Sequence, residues 1–151
     1  MKTDWTYKGE TITSQGQLPE EAFGYIYCIT RQSDGKYYIG RKNLYSNRTK
    51  LLTKKELTEQ ALLKKPGKKP TKKKVTAESD WLKYWGSEPE LKKELELNGK
   101  EGFTREIIQI TFSAKSTTYQ ELRHQILYGC LESDNCWNKN INGKYFRKDT
   151  L

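Results

Sequence analysis

Ten tyrosines and a single histidine set the chemical vocabulary of this 151-residue chain. Two tyrosine clusters stand out. Tyr25-Ile26-Tyr27 and Tyr37-Tyr38-Ile39 flank Ser33-Asp34-Gly35, and Tyr27 and Tyr38 are 11 residues apart. A phenol can donate a hydrogen bond to an anion or orient a water. It can accept a proton only if its pKa falls from near ~10. Lys36, Arg41 and Lys42 share the same stretch, and nearby cations are what would lower a phenol in this way. The structural alternative is that the same tyrosines pack as half-buried cross-strand pairs. One histidine and three cysteines without CxxC spacing (Cys28, Cys130, Cys136) argue against a zinc site and suit a reducing compartment.

The elements that would position these groups can be read from pattern. Tyr25–Thr30 and Lys36–Gly40 are aromatic and β-branched runs separated by Asp-Gly, a hairpin signal because glycine takes positive φ at little cost. Residues 1–22 read as an edge segment anchored by Trp5, Tyr7 and Ile12. Lys54–Lys65 predicts a helix with Leu57, Ala61 and Leu62 inward, stopped by Pro66-Gly67. Trp81, Leu82 and Trp85 share one face of a short helix ended by Gly86. Pro89 opens a second helix to about Leu97, and Phe103–Phe112 reads as a strand. A further helix spans about Tyr119–Leu131, with Leu122, Ile126 and Leu127 as its core stripe. Residues 135–151 form an asparagine-rich tail in which Tyr145-Phe146 could add a last strand.

Charge points to the partner. Twenty-eight Lys and Arg face 19 Asp and Glu, giving +9, which is the footprint of a polyanion binder. The basic residues concentrate in 49–77, where Lys68, Lys69, Lys72, Lys73 and Lys74 read as a loop that meets phosphates or simply stays solvated. No apolar run reaches membrane-spanning length and the start lacks a signal peptide's apolar core, so no membrane partner and a cytoplasmic location are expected.

The triplets Tyr25-Ile26-Tyr27 and Tyr38-Ile39-Gly40, at that separation and followed by helix, helix, strand and helix, resemble the GIY-YIG nuclease superfamily. Trp81-Leu82-Lys83-Tyr84-Trp85-Gly86-Ser87 is similar to its stand-alone, Seg-like members in bacteriophages, related to homing endonucleases. The resemblance implies an α+β fold, a small three-stranded antiparallel sheet flanked by helices, here with a basic insertion after the second strand. It implies one nuclease domain over 1–151 and a host-cell cytoplasm as the place of action.

It also implies an endonuclease that hydrolyses DNA phosphodiesters, and it assigns roles. Tyr27 is the general base or the water-orienting phenol, and Tyr38 its hydrogen-bonding partner. Glu121, in the helix after the third strand, holds Mg²⁺ or Mn²⁺; the alternative is a first-turn glutamate that complements the helix dipole. The transition-state arginine maps to Arg41 or Arg48, and the late asparagine, holding the glutamate or a water, to Asn138 with Asn142 second. His124 is a candidate supporting group, and Glu132 the less favoured acid. Lys36 and Lys42 join the lysines of the insertion as DNA contacts, and no small-molecule cofactor is implied. Two other readings compete: a binding protein of the same fold that has lost catalysis, and a basic RNA-associated factor that would not need Glu121. The oligomeric state, the recognition sequence and the choice between nicking and double-strand cleavage stay open at this level.

Overall fold

A computed structural model of the chain describes residues 3–63, 67 and 71–151, without the side chains of Arg48 and Lys74. Backbone contacts divide it into two compact units, one up to Leu44 and from Asp80 onward, the other Tyr45–Ser79.

The larger unit is built on a five-stranded mixed sheet. Its strands are β1 (Trp5–Tyr7), β2 (Glu10–Ile12), β3 (Gly24–Arg31) and β4 (Tyr37–Asn43), with the late strand Phe103–Thr111 between β1 and β3. In the smaller unit β5 (Tyr45–Leu51) pairs antiparallel with β6 (Lys72–Glu78), and α1 (Lys54–Leu62) lies between them in sequence. The late strand is therefore β7, and the sheet order is β2-β1-β7-β3-β4. Helices α2 (Pro89–Asn98) and α3 (Ala114–Leu127) and a small ribbon of β8 (Asn140–Ile141) and β9 (Tyr145–Phe146) complete the larger unit.

The expected hairpin forms β3 and β4, with Gly35 at φ 74 and Asp34 bonding the Arg31 side chain and the Lys36 amide. The expectation of three antiparallel strands is corrected to five mixed ones. The N-terminal segment does more than cover an edge: β1 pairs parallel to β7 and then turns back on itself as β2. Lys8 and Gly9, both at positive φ, make that tight turn, as a two-residue hairpin loop requires. β7 carries a bulge opposite the Ile26–Tyr27 step of β3, next to the tyrosine of interest.

One side of the sheet is aromatic. The Trp5 indole N–H donates to the Trp81 carbonyl at 2.8 Å, and its ring lies edge-on to Tyr25 and Tyr27 at 5.2 and 5.5 Å. Trp5 is thus a core residue, as its packing reading expected. Into the same layer β7 sends Arg105, a buried guanidinium flanked by the Trp5 and Trp85 rings at 4.6 and 4.2 Å. Its donors reach three carbonyls, Thr3 (2.9 Å), Leu82 (3.1 Å) and Tyr84 (2.7 Å), tying the N-terminal segment to the turn before α2. Burial pulls the guanidinium pKa down to about 10, which leaves it charged at neutral pH.

Three local expectations are corrected. The Trp81 turn is a single 3-10 turn, Trp81–Lys83, rather than an α-helix, although Trp81 and Trp85 are buried as expected. On α1, opened by Thr53 and Glu56 capping each other, Leu57 and Leu62 face solvent rather than a core. Lys72–Lys74 belong to a strand rather than a loop; residues 64–66 and 68–70, Lys68 and Lys69 among them, lie outside the described residues.

Removing the guanidinium leaves three carbonyls without their donor in a desolvated layer, so Arg105→Ala is expected to cost about 3 kcal/mol or more. Arg105→Lys, which keeps the charge but loses the planar fork, should recover only part of it. Urea unfolding followed by tryptophan fluorescence checks both, and midpoints within error of wild type would contradict the role assigned to Arg105.

Candidate functional site

β4 is the outer strand of the sheet, and its free edge would expose a row of unpaired backbone groups. The tail closes it. Tyr37 pairs with Cys136 as a short parallel bridge, the Tyr37 amide bonding the Asn135 carbonyl and the Trp137 amide bonding the Tyr37 carbonyl. One residue on, a side chain takes over from the backbone. The Asn138 carboxamide accepts from the Ile39 amide at 3.0 Å and donates to the Ile39 carbonyl at 2.8 Å, imitating the peptide of an absent strand. Gln125 of α3 donates to the same carbonyl at 3.1 Å. Tyr38, Gly40 and Arg41 are held on either side of this fixed point.

Beside that edge lies a polar cleft of about 440 Å³. Tyr38, Arg41, Glu121, Gln125 and Asn138 line it, with Ser87 and Glu88 from the start of α2 and Lys139, Asn140 and Asn142 from the tail. The hairpin thus meets α3 and the tail in one place, across 77 residues of sequence at the bond Arg41–Thr118 and 99 at Ile39–Asn138. The Arg41 guanidinium donates to the Thr118 hydroxyl at 2.5 Å and lies 3.7 Å from a Glu121 carboxylate oxygen. Burial pushes the Glu121 carboxyl above its usual range and Arg41 pulls it back. A half-desolvated carboxylate facing open polar space, with one cation beside it, is a donor set that suits a hydrated Mg²⁺ or Mn²⁺. Among the described residues no cluster of three metal-ligating side chains exists, so a cation held here would keep most of its waters.

The two tyrosines differ. Tyr38 reaches the cleft, its hydroxyl 3.3 Å from the Ser87 hydroxyl, and burial raises its pKa with Glu121 and Glu88 adding to the rise. Tyr27 is only 1% exposed and lies behind it, ring centroids 6.1 Å apart, without lining the cleft. The space its phenol occupies exists because residue 40 is glycine: a side chain there would come within 2.7 Å of the phenol's ring carbon. Gly86, at φ 87, packs beside the same hydroxyl: a side chain there would touch the phenol oxygen at 3.5 Å, an ordinary contact, so it is the backbone conformation that favours glycine. The expectation that Lys36, Arg41 and Lys42 lower the Tyr27 pKa is corrected: burial raises it well above the ordinary value, and the Tyr38, Tyr84 and Tyr25 hydroxyls add to the rise. The reason is placement. The Lys36 ammonium lies over the Trp137 ring at 4.9 Å, and that of Lys42 pairs with Asp80 at 2.6 Å and lies over Tyr84.

The Asn138 amide accepts from the Ile39 amide and the Cys136 thiol and donates to the Ile39 carbonyl, so the partners described for it lie on β4 and in the tail rather than at Glu121. Arg41 is the arginine that pairs with Glu121; Arg48 lies in the smaller unit, on β5 opposite Val75. His124 bonds Gln109 of β7 at 2.7 Å and lies outside the cleft lining, and Glu132 is exposed outside it as well. Lys72 is exposed, Lys73 pairs with Glu56 at 2.8 Å, and the Lys74 side chain lies outside the described residues.

Sequence reasoning passed over Ser87, Glu88, Gln125 and Lys139. Glu88 is the N-cap of α2 and pairs with Lys139, which also reaches Glu90 at 2.8 Å. The signal available was Ser-Glu-Pro, a helix start, which announces a cap and says nothing about a cleft.

The model of one protein family, described as putative endonuclease segE, GIY-YIG domain, matches residues 5–146. No curated protein and no solved structure matches the chain.

Losing the Asn138 carboxamide leaves the Ile39 amide without an acceptor on a buried edge. Asn138→Ala is expected to destabilise the protein by about 2 kcal/mol. It should also turn Ile39 from a slowly to a rapidly exchanging amide, read by hydrogen exchange in NMR. Unchanged protection at Ile39 would show that another group closes the edge.

Proposed function

Because the chain belongs to the family of segE-type GIY-YIG endonucleases, we propose that it is a divalent-metal-dependent enzyme that hydrolyses DNA phosphodiesters, of the phage homing or competitor-DNA-cutting kind. The observation that carries this reading is the convergence of Tyr38, Arg41 and Glu121 in one cleft at the outer edge of β4.

Hydrolysis forms a bond from a water oxygen to phosphorus, that water giving up a proton, and breaks the bond to the bridging oxygen, which takes a proton up, so that the proton balance closes. Glu121 would hold Mg²⁺ or Mn²⁺, which would supply Lewis-acid stabilisation of the phosphoryl oxygens. Arg41 offers its planar fork of donors to the same phosphate, and its pairing with Glu121 keeps it aimed there before substrate arrives. Tyr38 donates its hydroxyl to the phosphate or to the attacking water. Tyr27, kept neutral by burial, serves as the orienting phenol behind Tyr38 rather than as the base. Asn138 acts through Ile39 by fixing β4. Lys72 and Lys73, with Lys68, Lys69 and Lys74, give the sequence-independent hold on the DNA backbone, and Arg48 joins them.

Supercoiled plasmid incubated with the purified protein should be nicked or linearised when Mg²⁺ is present and stay intact in EDTA. Glu121→Ala is expected to abolish cutting while gel-shift affinity for the plasmid stays near wild type. Arg41→Ala should slow cutting on the order of 10³-fold, as removal of a transition-state arginine does. Cleavage by Glu121→Ala at the wild-type rate would mean the wrong carboxylate has been chosen. Tight binding with no cleavage under any divalent metal would favour a DNA-binding protein that has lost catalysis.

A further inference from the structure

The helix that carries Glu121 is built inside out. On its sheet side α3 presents Thr117, which bonds Thr111, Gln125, which bonds the Ile39 carbonyl, and the cleft-facing Glu121. On the opposite side Tyr119, Leu122, Ile126 and Leu127 follow the i, i+3, i+7, i+8 pattern of a packing face. Most of that face is in water: Tyr119 is 62%, Ile126 61% and Leu127 64% exposed, while Leu122 is half-buried at the floor of a shallow apolar groove that Arg123 also lines. Long, branched and aromatic side chains at packing spacing gain nothing from solvent, and a strong local pattern at odds with the fold of one copy asks for a second surface.

We propose that the outer face of α3 is a self-association surface on which a second copy of this chain packs, helix against helix. The exposed parts of Tyr119, Ile126 and Leu127, with the half-buried Leu122 between them, amount to roughly 400 Å² of largely apolar area per copy, the size of patch that is often functional on a monomer. Apolar atoms make up a little over half of an ordinary interface, so such a face corresponds to about 700 Å² per partner and about 1,400 Å² in total, the range of a stable dimer. A two-fold contact uses one patch twice, so this stripe supplies its own complement. Arg123 fits the same occupant, its stem lying along the stripe and its guanidinium free to stack on a tyrosine of the other copy. Nucleic acid does not fit the stripe itself, which offers apolar side chains and one cation where a phosphate backbone asks for several.

Sedimentation velocity and light scattering of the full chain, from about 1 to about 100 μM, test this, since an interface of this size supports micromolar association or better. The mass should rise toward twice 17.7 kDa with concentration. Ile126→Glu and Tyr119→Glu should hold it at 17.7 kDa while the thermal melting curve stays close to wild type, because both side chains are in water in the single copy. Leu97→Glu, on α2 at a position equally exposed, should dimerise as wild type does. If Ile126→Glu does not fold, Leu127→Glu replaces it. A wild-type mass of 17.7 kDa at every concentration, or a dimer that survives both charged variants, overturns the proposal. The readout is mass alone, so it holds or fails independently of whether the protein cuts DNA.

Discussion

The arrangement of the cleft depends on one carboxamide. A strand that bears reactive side chains along its outer edge has to be open to substrate and yet hold its backbone still, and an unpaired edge does neither well. Here the bridge from Tyr37 to Cys136 and then the two bonds from Asn138 to Ile39 close the edge for as far as it must be rigid and no farther. Beyond Ile39 the edge is handed to α3, through Gln125 to the Ile39 carbonyl and through the ion pair of Arg41 with Glu121. A side-chain amide suits this task because it carries one donor and one acceptor in a plane, as a peptide does, but ends where the strand's side chains need room. The tail is therefore as much a part of the site as the hairpin, though it contributes few groups that could touch a phosphate.

Burial sorts the two phenols. Taking a tyrosine out of water penalises its charged form, and without a cation in contact nothing offsets that cost. Tyr27 lies between the aromatic layer of Trp5, Tyr25 and Tyr84 and the bare backbone of Gly40, so it stays protonated and firmly placed. Tyr38, one ring farther out, faces solvent, Ser87 and the carboxylates. The same layer explains Arg105: a buried cation is tolerated there because three carbonyls and two indole faces replace its water. The lysines that would have lowered Tyr27 are instead drawn to aromatic faces and to Asp80, which take the place of part of their water.

Much of this was legible in the chain because period and punctuation are local. The aromatic and β-branched runs of β3 and β4 around Asp34-Gly35, the ten residues of α2 from Pro89, and β7 all announce themselves, and the second tyrosine triplet supplies Tyr38 to the cleft's wall. What was not legible is non-local. β1 is three residues long, and besides its local pairing with β2 it is joined to the sheet by a parallel partner 100 positions away. Asn138 sits in an asparagine-rich stretch where turn chemistry explains every amide equally well. That Arg105 is buried while lysines of similar sequence setting are exposed depends on carbonyls contributed by Thr3, Leu82 and Tyr84, which no window around residue 105 contains.

Helix α3 shows a subtler limit. Hydrophobic periodicity says that a helix has two unlike faces; by itself it does not say which of them meets the sheet. The default is that the apolar face turns inward, and it gave Leu122, Ile126 and Leu127 as core. The structure turns the polar face inward instead, because the sheet side must carry Glu121 into the cleft and Gln125 to the β4 edge. Small and polar residues, Thr117 packed on Thr111 among them, bring the helix close enough to do both. Placing a carboxylate and an amide at an edge thus fixes the rotation of the whole helix, and the apolar stripe is carried outward as a consequence. A single physical demand, a charged group delivered to a defined place, accounts at once for the cleft's composition and for the face that remains uncovered.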